Sequence, residues 1–239
     1  MVPHTGRMLD DIQALTFDVF GTVVNWRGTI IREGATYSRQ VDWNQLATAW
    51  RSKYSPTLRR VASGELPWTS LDMLERQMLD ETLRELGISG FTEAELARLS
   101  DVWTRLDPWP DSPPGLARLK RKFTICTLSN GSVRQLAGMA KHGNLPWDVI
   151  FSVEMFRAFK PDPKVYLGAA ELLQLQPKQV MMVAAHPHDL RAAKALGLGT
   201  AYIPRPAEWG TAQPLEPSDA SEFDLTANSF EDLATKLGC

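Results

Sequence analysis

The spacing of apolar residues along this chain changes twice. Five apolar runs have the length of buried strands: residues 12–19, 123–128, 147–152, 180–185 and 201–203. Apolar positions at helical spacing mark further segments: residues 115–121, 133–142, 162–173, 189–196 and 230–237. Strands that alternate with helices predict an α/β fold, a Rossmann-like and mostly parallel sheet with helices on its faces.

The region between the first and second predicted strands has a different pattern. From about Ile30 to Leu106, apolar side chains recur every three or four positions with almost no strand signal. Thr92 and Glu95 have the spacing of a capping box at a helix start. We therefore predict a core domain of residues 1–24 and 107–239, interrupted by a helical cap domain of residues 25–106. A cap over the carboxyl edge of a sheet can close a site from water.

Composition excludes several classes of partner. The chain has 239 residues, of which 44% are hydrophobic and 23% charged, as in ordinary soluble proteins. A net charge of −2 predicts no nucleic acid and no anionic membrane as partner. The two cysteines, Cys126 and Cys239, are expected to be unpaired thiols, and no segment is apolar enough to cross a membrane. These features predict a cytoplasmic protein.

Candidate chemistry lies where the predicted strands end. Asp18 follows the first strand, and Asn130 follows the second, directly after Ser129. Lys160 lies in a loop and Asp189 comes after the 180–185 strand. Each has an ordinary structural explanation when taken singly, as a turn residue, a surface lysine or a helix cap. Because parallel strands share one carboxyl edge, we expect these groups to meet in one site.

Four segments resemble the motifs of the haloacid dehalogenase superfamily. They are Phe-Asp-Val-Phe-Gly-Thr (17–22), Leu-Ser-Asn-Gly-Ser (128–132), Lys-Pro-Asp-Pro-Lys-Val-Tyr (160–166) and Val-Ala-Ala-His-Pro-His-Asp (183–189). They occur in the superfamily's order, with a helical insertion between the first two. The resemblance spans nearly the whole chain and implies the superfamily's sheet core with an inserted cap.

One position separates two activities within this superfamily. Its phosphatases resemble Asp-x-Asp-x-Thr, in which the second Asp is a general acid and helps to hold magnesium. Phe20 stands at that place here, and a phenyl ring can neither donate a proton nor bind a hard cation. A magnesium-dependent phosphatase is therefore the alternative hypothesis, and a binding protein that retains the fold without catalysis is a third.

An aromatic residue at this place resembles the L-2-haloacid dehalogenases, which need no metal or other cofactor. The resemblance implies that Asp18 attacks a short 2-haloalkanoic acid and forms an ester. It implies that Lys160 keeps Asp18 ionised, that Thr22 supports it, and that Asp189 positions or deprotonates water with Tyr166 nearby. Ser129 and the N–H groups of Val19 and Phe20 would hold the substrate carboxylate. It also implies a homodimer.

The departing halide requires a cationic site. Residues 46–54 resemble the family segment that carries its halide-binding arginine, which places this role on Arg51 together with Asn130. Arg27, close to the first motif, is the alternative cation.

The fourth motif departs from better-known dehalogenases, which carry Ser and Asn where this chain has Ala184 and His186. His186 would hold the water or Asp189 in place of the Asn, change which step is slow, or serve a structural role only. His188 is expected at the surface. A transition-metal site formed by His186, His188, Asp189 and Asp18 is a further alternative, although the favoured hypothesis has no metal.

Overall fold

The computed structural model of the protein describes residues 9–37, 40–210 and 219–239. Its strands are β1 (Ala14–Phe17), β2 (Thr124–Ser129), β3 (Val149–Ser152), β4 (Val180–Ala184), β5 (Gly199–Tyr202) and β6 (Leu225–Thr226). They form one sheet in the order β3-β2-β1-β4-β5-β6, and every neighbouring pair is parallel. The predicted α/β class is confirmed. Within the described ranges, no helix has the length and apolar character needed to cross a membrane.

The centre of the sheet determines where a site can form. All residues of β1 and β4 are buried, and all except Thr16 are apolar, as is usual in the centre of a parallel sheet. The chain passes from β1 to β2 on one side and later returns to β4 on the other side of β1. The carboxyl ends of β1 and β4 therefore flank a topological switch point, where crevices open in such sheets.

Ten α-helices surround the sheet in the described part of the chain. Six lie between β1 and β2: α1 (Trp26–Gly34), α2 (Trp43–Ser52), α3 (Tyr54–Ala62), α4 (Leu71–Glu85), α5 (Glu93–Ser100) and, just before β2, α6 (Ser112–Leu119). Four follow β2: α7 (Val133–His142), α8 (Pro163–Leu172), α9 (Pro187–Ala195) and α10 (Phe230–Lys236). The capping box of Thr92 and Glu95 is present at the start of α5.

The chain enters and leaves the block of helices α1–α5 through two adjacent segments. Val24 and Pro108 form an antiparallel bridge, and Asn25 N–H donates to the carbonyl of Asp107 over 2.8 Å. These segments coincide with the predicted limits of the insertion. Its division from the core as a separate domain stays a prediction.

Most differences from the predicted elements are shifts of one to three residues at their ends. Helix α9 begins at Pro187 rather than at 189, because proline is favoured in the first turn, where its missing N–H is not needed. Strand β6 was not predicted, since it has only two residues and follows a Pro-rich stretch. Residues 211–218 of that stretch lie outside the described residues.

Candidate active site

A cavity of about 800 Å³ opens at the carboxyl edge of the sheet. Asp18, Lys160 and Asp189 line it from the sheet side, and Arg51 with Tyr54 lines it from helices α2 and α3. The predicted groups from four separate segments therefore meet in one place. Trp68 and Trp209 also line the cavity.

The carboxylate of Asp18 is held by three donors. Oδ1 accepts a hydrogen bond from Lys160 Nζ at 3.1 Å. Oδ2 accepts from the Thr22 hydroxyl at 2.7 Å and faces His186 Nδ1 at 2.9 Å. The Thr22 oxygen itself accepts the N–H of Ala185 at 2.9 Å, so its own proton is directed at Asp18.

These partners decide the charge of Asp18. Burial by itself would raise the pKa of Asp18, but the Lys160 ammonium and the hydrogen bonds from His186 and Thr22 outweigh it. The pKa of Asp18 therefore lies well below its usual range. Burial likewise opposes the charge on Lys160, and the carboxylates of Asp18 and Asp189 outweigh it and raise the pKa of the ammonium. Both groups are ionised at neutral pH.

Lys160 connects Asp18 to a second carboxylate. Its Nζ also donates to Asp189 Oδ2, and the buried Tyr166 hydroxyl donates to Asp189 Oδ1. Burial and the charge of Asp189 raise the pKa of Tyr166, so its oxygen keeps its proton. The structure therefore brings Lys160, Asp189 and Tyr166 together as predicted, although their roles stay predictions.

Asn130 links the loop before α8 to helix α3. Its Oδ1 accepts the backbone N–H of Lys160 and its Nδ2 donates to the Tyr54 hydroxyl, each at 2.8 Å. Ser129 is different, because it is fully buried, accepts the N–H of Gly131 at 3.2 Å and does not line the cavity. Its predicted contact with a substrate carboxylate stays a prediction.

The backbone after β1 offers unused donors. Within the described residues, the N–H groups of Val19 and Phe20 donate to no protein acceptor. Only Phe20 of this pair lines the cavity. Its buried ring packs edge-on against Trp103, with centroids 5.6 Å apart. An apolar ring thus occupies the position of the phosphatase general acid.

Arg51 lies among aromatic rings. Its Cζ is 3.9 Å from the ring centroid of Tyr54, 5.6 Å from that of Trp26 and 6.0 Å from that of Phe20. Its buried Nη1 has no hydrogen-bond partner in the described part of the protein. Arg27, the alternative cation, instead donates to Asn44 and does not line the cavity. The geometry therefore favours Arg51 over Arg27 as a site for a small anion.

His186 contacts two carboxylates, one of which sequence analysis missed. Its Nε2 lies 3.0 Å from Glu208 Oε2 and 3.2 Å from Oε1, on the ring side opposite Asp18. Burial lowers the pKa of His186, but Glu208 and Asp18 outweigh it and raise that pKa to about 10. At neutral pH His186 is therefore an imidazolium between two carboxylates.

The segment after β5 delivers Glu208 to the site. Arg205 Nε donates to the carbonyl of Thr22 at 2.9 Å, and its guanidinium pairs with Asp111 over 2.7 Å. Sequence analysis missed Glu208 because it follows the last predicted strand, at 201–203, in a segment without apolar periodicity. The signal that could have marked this segment is Trp209 beside the charged residues Arg205 and Glu208, all within seven residues of the end of β5.

The two histidines of the fourth motif, His186 and His188, lie in different environments. His188 is exposed at the start of α9, as predicted, and lies at the cavity rim with its ring 5.7 Å from that of His186. Within the described ranges, no three His, Cys, Asp or Glu side chains are arranged as ligands for one metal ion. The ring nitrogens of His186 both face carboxylates.

Comparisons with known proteins agree with this geometry. A model of haloacid dehalogenase-like hydrolases matches residues 12–197. The (S)-2-haloacid dehalogenase 1 of Pseudomonas sp. strain CBS-3 is 30% identical over 203 residues, which cover 82% of this chain and 86% of that protein. The chain belongs to the haloacid dehalogenase-like hydrolase family.

Solved structures refine this similarity. The crystal structure of an L-2-haloacid dehalogenase has 42% identity and a TM-score of 0.90, covering 95% of this chain and 100% of that chain. A defluorinating L-2-haloacid dehalogenase also has 42% identity, with a TM-score of 0.91 and coverage of 95% and 96%. The enzyme from Xanthobacter autotrophicus with covalently bound chloropropionic acid has 25% identity, a TM-score of 0.79 and coverage of 94% and 97%. The resemblance to L-2-haloacid dehalogenases is thereby confirmed.

Proposed function

We propose that the protein hydrolyses short 2-haloalkanoic acids to 2-hydroxy acids through an ester on Asp18. The observation that carries this proposal is an ionised carboxylate and a guanidinium whose buried Nη1 has no hydrogen-bond partner in the described residues, both lining one cavity, with a phenyl ring in place of a second acid. A nucleophile and a receptor for the leaving anion are what a displacement at carbon needs. The magnesium-dependent phosphatase is disfavoured because Phe20 offers neither a proton nor a ligand.

In the first step, an oxygen of Asp18 attacks C2 of the substrate and the carbon–halogen bond breaks with inversion. Oδ1 is the favoured atom, because it has one hydrogen-bond partner whereas Oδ2 has two. The halide leaves with the bonding electrons. Arg51 with Asn130 would stabilise it, since a weakly hydrated guanidinium suits a small anion in a partly dry pocket.

In the second step, water attacks Cγ of the Asp18 ester. Asp189, held by Tyr166 and Lys160, would take the proton of this water. The bond between Cγ and the oxygen attached to C2 then breaks, and that oxygen takes the proton from Asp189 and leaves as the hydroxyl of the product. The second proton of the water passes to solvent, and Asp18 regains its carboxylate with one oxygen from water.

The substrate carboxylate requires donors near the nucleophile. The unused N–H groups of Val19 and Phe20 supply them at the end of β1. Ser129 would contribute only if its hydroxyl turned from Gly131 toward the cavity.

The direct test is halide release from L- and D-2-chloropropionate and from monohaloacetates in the presence of EDTA. Phosphate release from an aryl phosphate with magnesium is measured in parallel. Halide from the L acid despite EDTA is the expected result. Phosphate release without halide would overturn the proposal in favour of the phosphatase.

Two further properties belong to this proposal. A small, metabolite-like substrate and two unpaired cysteines support a cytoplasmic location. The homodimer implied by the family resemblance stays a prediction that sedimentation equilibrium measures. A purely monomeric species at micromolar concentration would contradict it.

A further inference from the structure

Three groups in contact lead from the nucleophile away from the cavity, of which Asp18 and Glu208 are buried and His186 is partly exposed. Asp18 Oδ2 faces His186 Nδ1, and His186 Nε2 faces Glu208. Glu208 is 3% exposed and also accepts the indole N–H of Trp26 at 3.0 Å. Because an indole nitrogen can only donate, that Glu208 oxygen must act as an acceptor.

Asp18 and Glu208 determine which atoms donate and which accept in the hydrogen bonds with His186. Asp18 is ionised beside Lys160, so it can only accept from Nδ1. Burial opposes the charge on Glu208, but His186 and the Trp26 hydrogen bond outweigh it and lower the pKa of Glu208. Glu208 therefore accepts from Nε2. Both ring nitrogens of His186 carry protons, and the imidazole is aligned by two acceptors.

The absence of a side chain at Gly21 leaves room for the Glu208 carboxylate. Gly21 has a φ of +80°, and a Cβ built there would lie 2.1 Å from Glu208 Oε1. The carboxylate thus packs directly against the turn that follows the nucleophile. A side chain at position 21 would displace Glu208 as well as strain the turn.

We infer that Glu208 is a positioning residue that holds His186 as an imidazolium with its Nδ1–H aimed at Asp18 Oδ2. The inference rests on the proposed ester mechanism for its catalytic meaning. When water attacks Cγ, the second carboxyl oxygen of Asp18 becomes an oxyanion, and His186 donates to it together with Thr22. This oxygen is Oδ2 if Oδ1 carries the alkyl group. No atom is transferred through Glu208.

Glu208 matters most in the second step. Ester formation removes the negative charge of Asp18, which is one of the two charges that keep His186 protonated. Glu208 is then the remaining carboxylate in contact with the ring. Other ionisable groups around this pair are Arg51, His188, Lys160 and Asp189. The positive charges of Arg51 and Lys160 oppose protonation of His186.

The test separates the two steps in Glu208→Gln. A glutamine keeps an oxygen for Trp26 and can donate to Nε2, which leaves His186 oriented but neutral. We expect the halide burst to change by less than about threefold and ester hydrolysis to slow by roughly 10- to 100-fold. Intact-protein mass spectrometry should then show esterified enzyme accumulating at steady state. In a plot of kcat against pH, the decline on the alkaline side should move to lower pH by at least about one unit.

This test has two controls, a surface variant and a double variant. Glu222→Gln removes a surface carboxylate paired with Arg191 and should leave both rates within about twofold of the original values. In a His186→Asn background, Glu208→Gln should add less than about a threefold further loss, since the two residues act as a unit. Equal slowing of both steps in Glu208→Gln, or unchanged ester hydrolysis, would overturn the inference.

Heteronuclear NMR of the unmodified protein tests the same inference without relying on a variant that must fold. At about pH 8, both ring nitrogens of His186 should carry protons, with the signals assigned by their loss in His186→Asn. A ring with one bare nitrogen would overturn the inference. This readout holds even if no haloacid is turned over, so failure of the proposed function and failure of the inference are distinguishable.

Discussion

The two sides of the cavity differ in how their charges are satisfied. On the sheet side, every charged group has a partner: Asp18 with Lys160, Thr22 and His186, and Asp189 with Lys160 and Tyr166. On the helical side, Arg51 lies among aromatic rings, and its buried Nη1 has no hydrogen-bond partner within the described residues. The sheet side is electrostatically complete before any substrate binds.

Glu75 reinforces this contrast. It is buried near Arg51, and its burial raises its pKa well above the usual range, with the Arg51 charge opposing that shift. Its Oε1 also lacks a hydrogen-bond partner in the described part of the protein. A carboxyl whose pKa is raised compensates the Arg51 guanidinium less than an ordinary carboxylate would.

This difference fits the order of events in a displacement. The nucleophile must be ionised and aligned beforehand, so its donors are preorganised around it. In the proposed mechanism the halide ion exists only after the carbon–halogen bond breaks, and Nη1 of Arg51, which has no hydrogen-bond partner among the described residues, would then receive it. A charge that was already paired on the helical side would stabilise the leaving ion less.

The largest expected effect is on the sheet side. Asp18→Asn removes the nucleophile and should lower the rate of halide release by at least about a thousandfold, because covalent catalysis is lost entirely. Asp80→Asn, at a half-exposed carboxylate paired with Arg76, is the matched control. Residual activity above about a hundredth of the original would exclude Asp18 as the nucleophile.

Lys160→Met should lower kcat by roughly 100- to 1000-fold, since the ammonium contacts both Asp18 and Asp189. Without this ammonium the pKa of Asp18 rises, so residual activity should fall off on the acid side at a higher pH than in the original protein. A pH–rate profile measures this shift. Lys178→Met, at an exposed position, is the control, and an unshifted acid limb would show that Lys160 does not keep Asp18 ionised.

Arg51→Lys keeps the charge of the helical side and removes its planar stacking on Tyr54. We expect a loss of roughly 10- to 100-fold that is larger for chloroacids than for bromoacids, because the poorer leaving group depends more on stabilisation of the halide. Arg60→Lys, in a surface pair with Glu65, is the control. Equal losses for both halogens would contradict the halide role.

The smallest expected effect is on stability and its pH dependence. The pKa of folded His186, about 10, is above the ordinary value of 6.5. The stabilisation from its charge is therefore complete below about pH 6.5 and is lost as the pH rises through about 10. Relative to His186→Asn, the free energy of unfolding should decline by at least ~1 kcal/mol across this interval. Urea titrations at several pH values measure it, and a constant difference would contradict the paired imidazolium.

The sheet side was predictable from sequence because its residues follow strand ends. A buried β1 carries Asp18 to the edge, and β4 delivers His186 and Asp189 to the same edge, so topology alone brings them together. The position of Arg51 depended on family resemblance, since one helix face does not reveal what it packs against. The contact of Arg51 with three aromatic rings is a tertiary property that helical spacing does not encode.

The position of Glu208 could not be predicted from its neighbours in the sequence. It lies in a loop, and nothing in its immediate neighbours shows that Arg205 anchors this loop to Thr22 and Asp111. Its contact with Gly21 depends on a backbone approach between segments far apart in sequence. The donor role of His186 was likewise open from sequence, because the protonation of an imidazole depends on both groups that flank it.

The central claim is that Asp18 attacks carbon and that water later attacks the Asp18 carboxyl. A single turnover in heavy-oxygen water, with enzyme in excess over L-2-chloropropionate, tests it directly. The account predicts that the peptide containing Asp18 gains one heavy oxygen and that the lactate formed carries none. Heavy oxygen in the lactate with an unlabelled Asp18 would mean that water displaces the halide directly, and would contradict it.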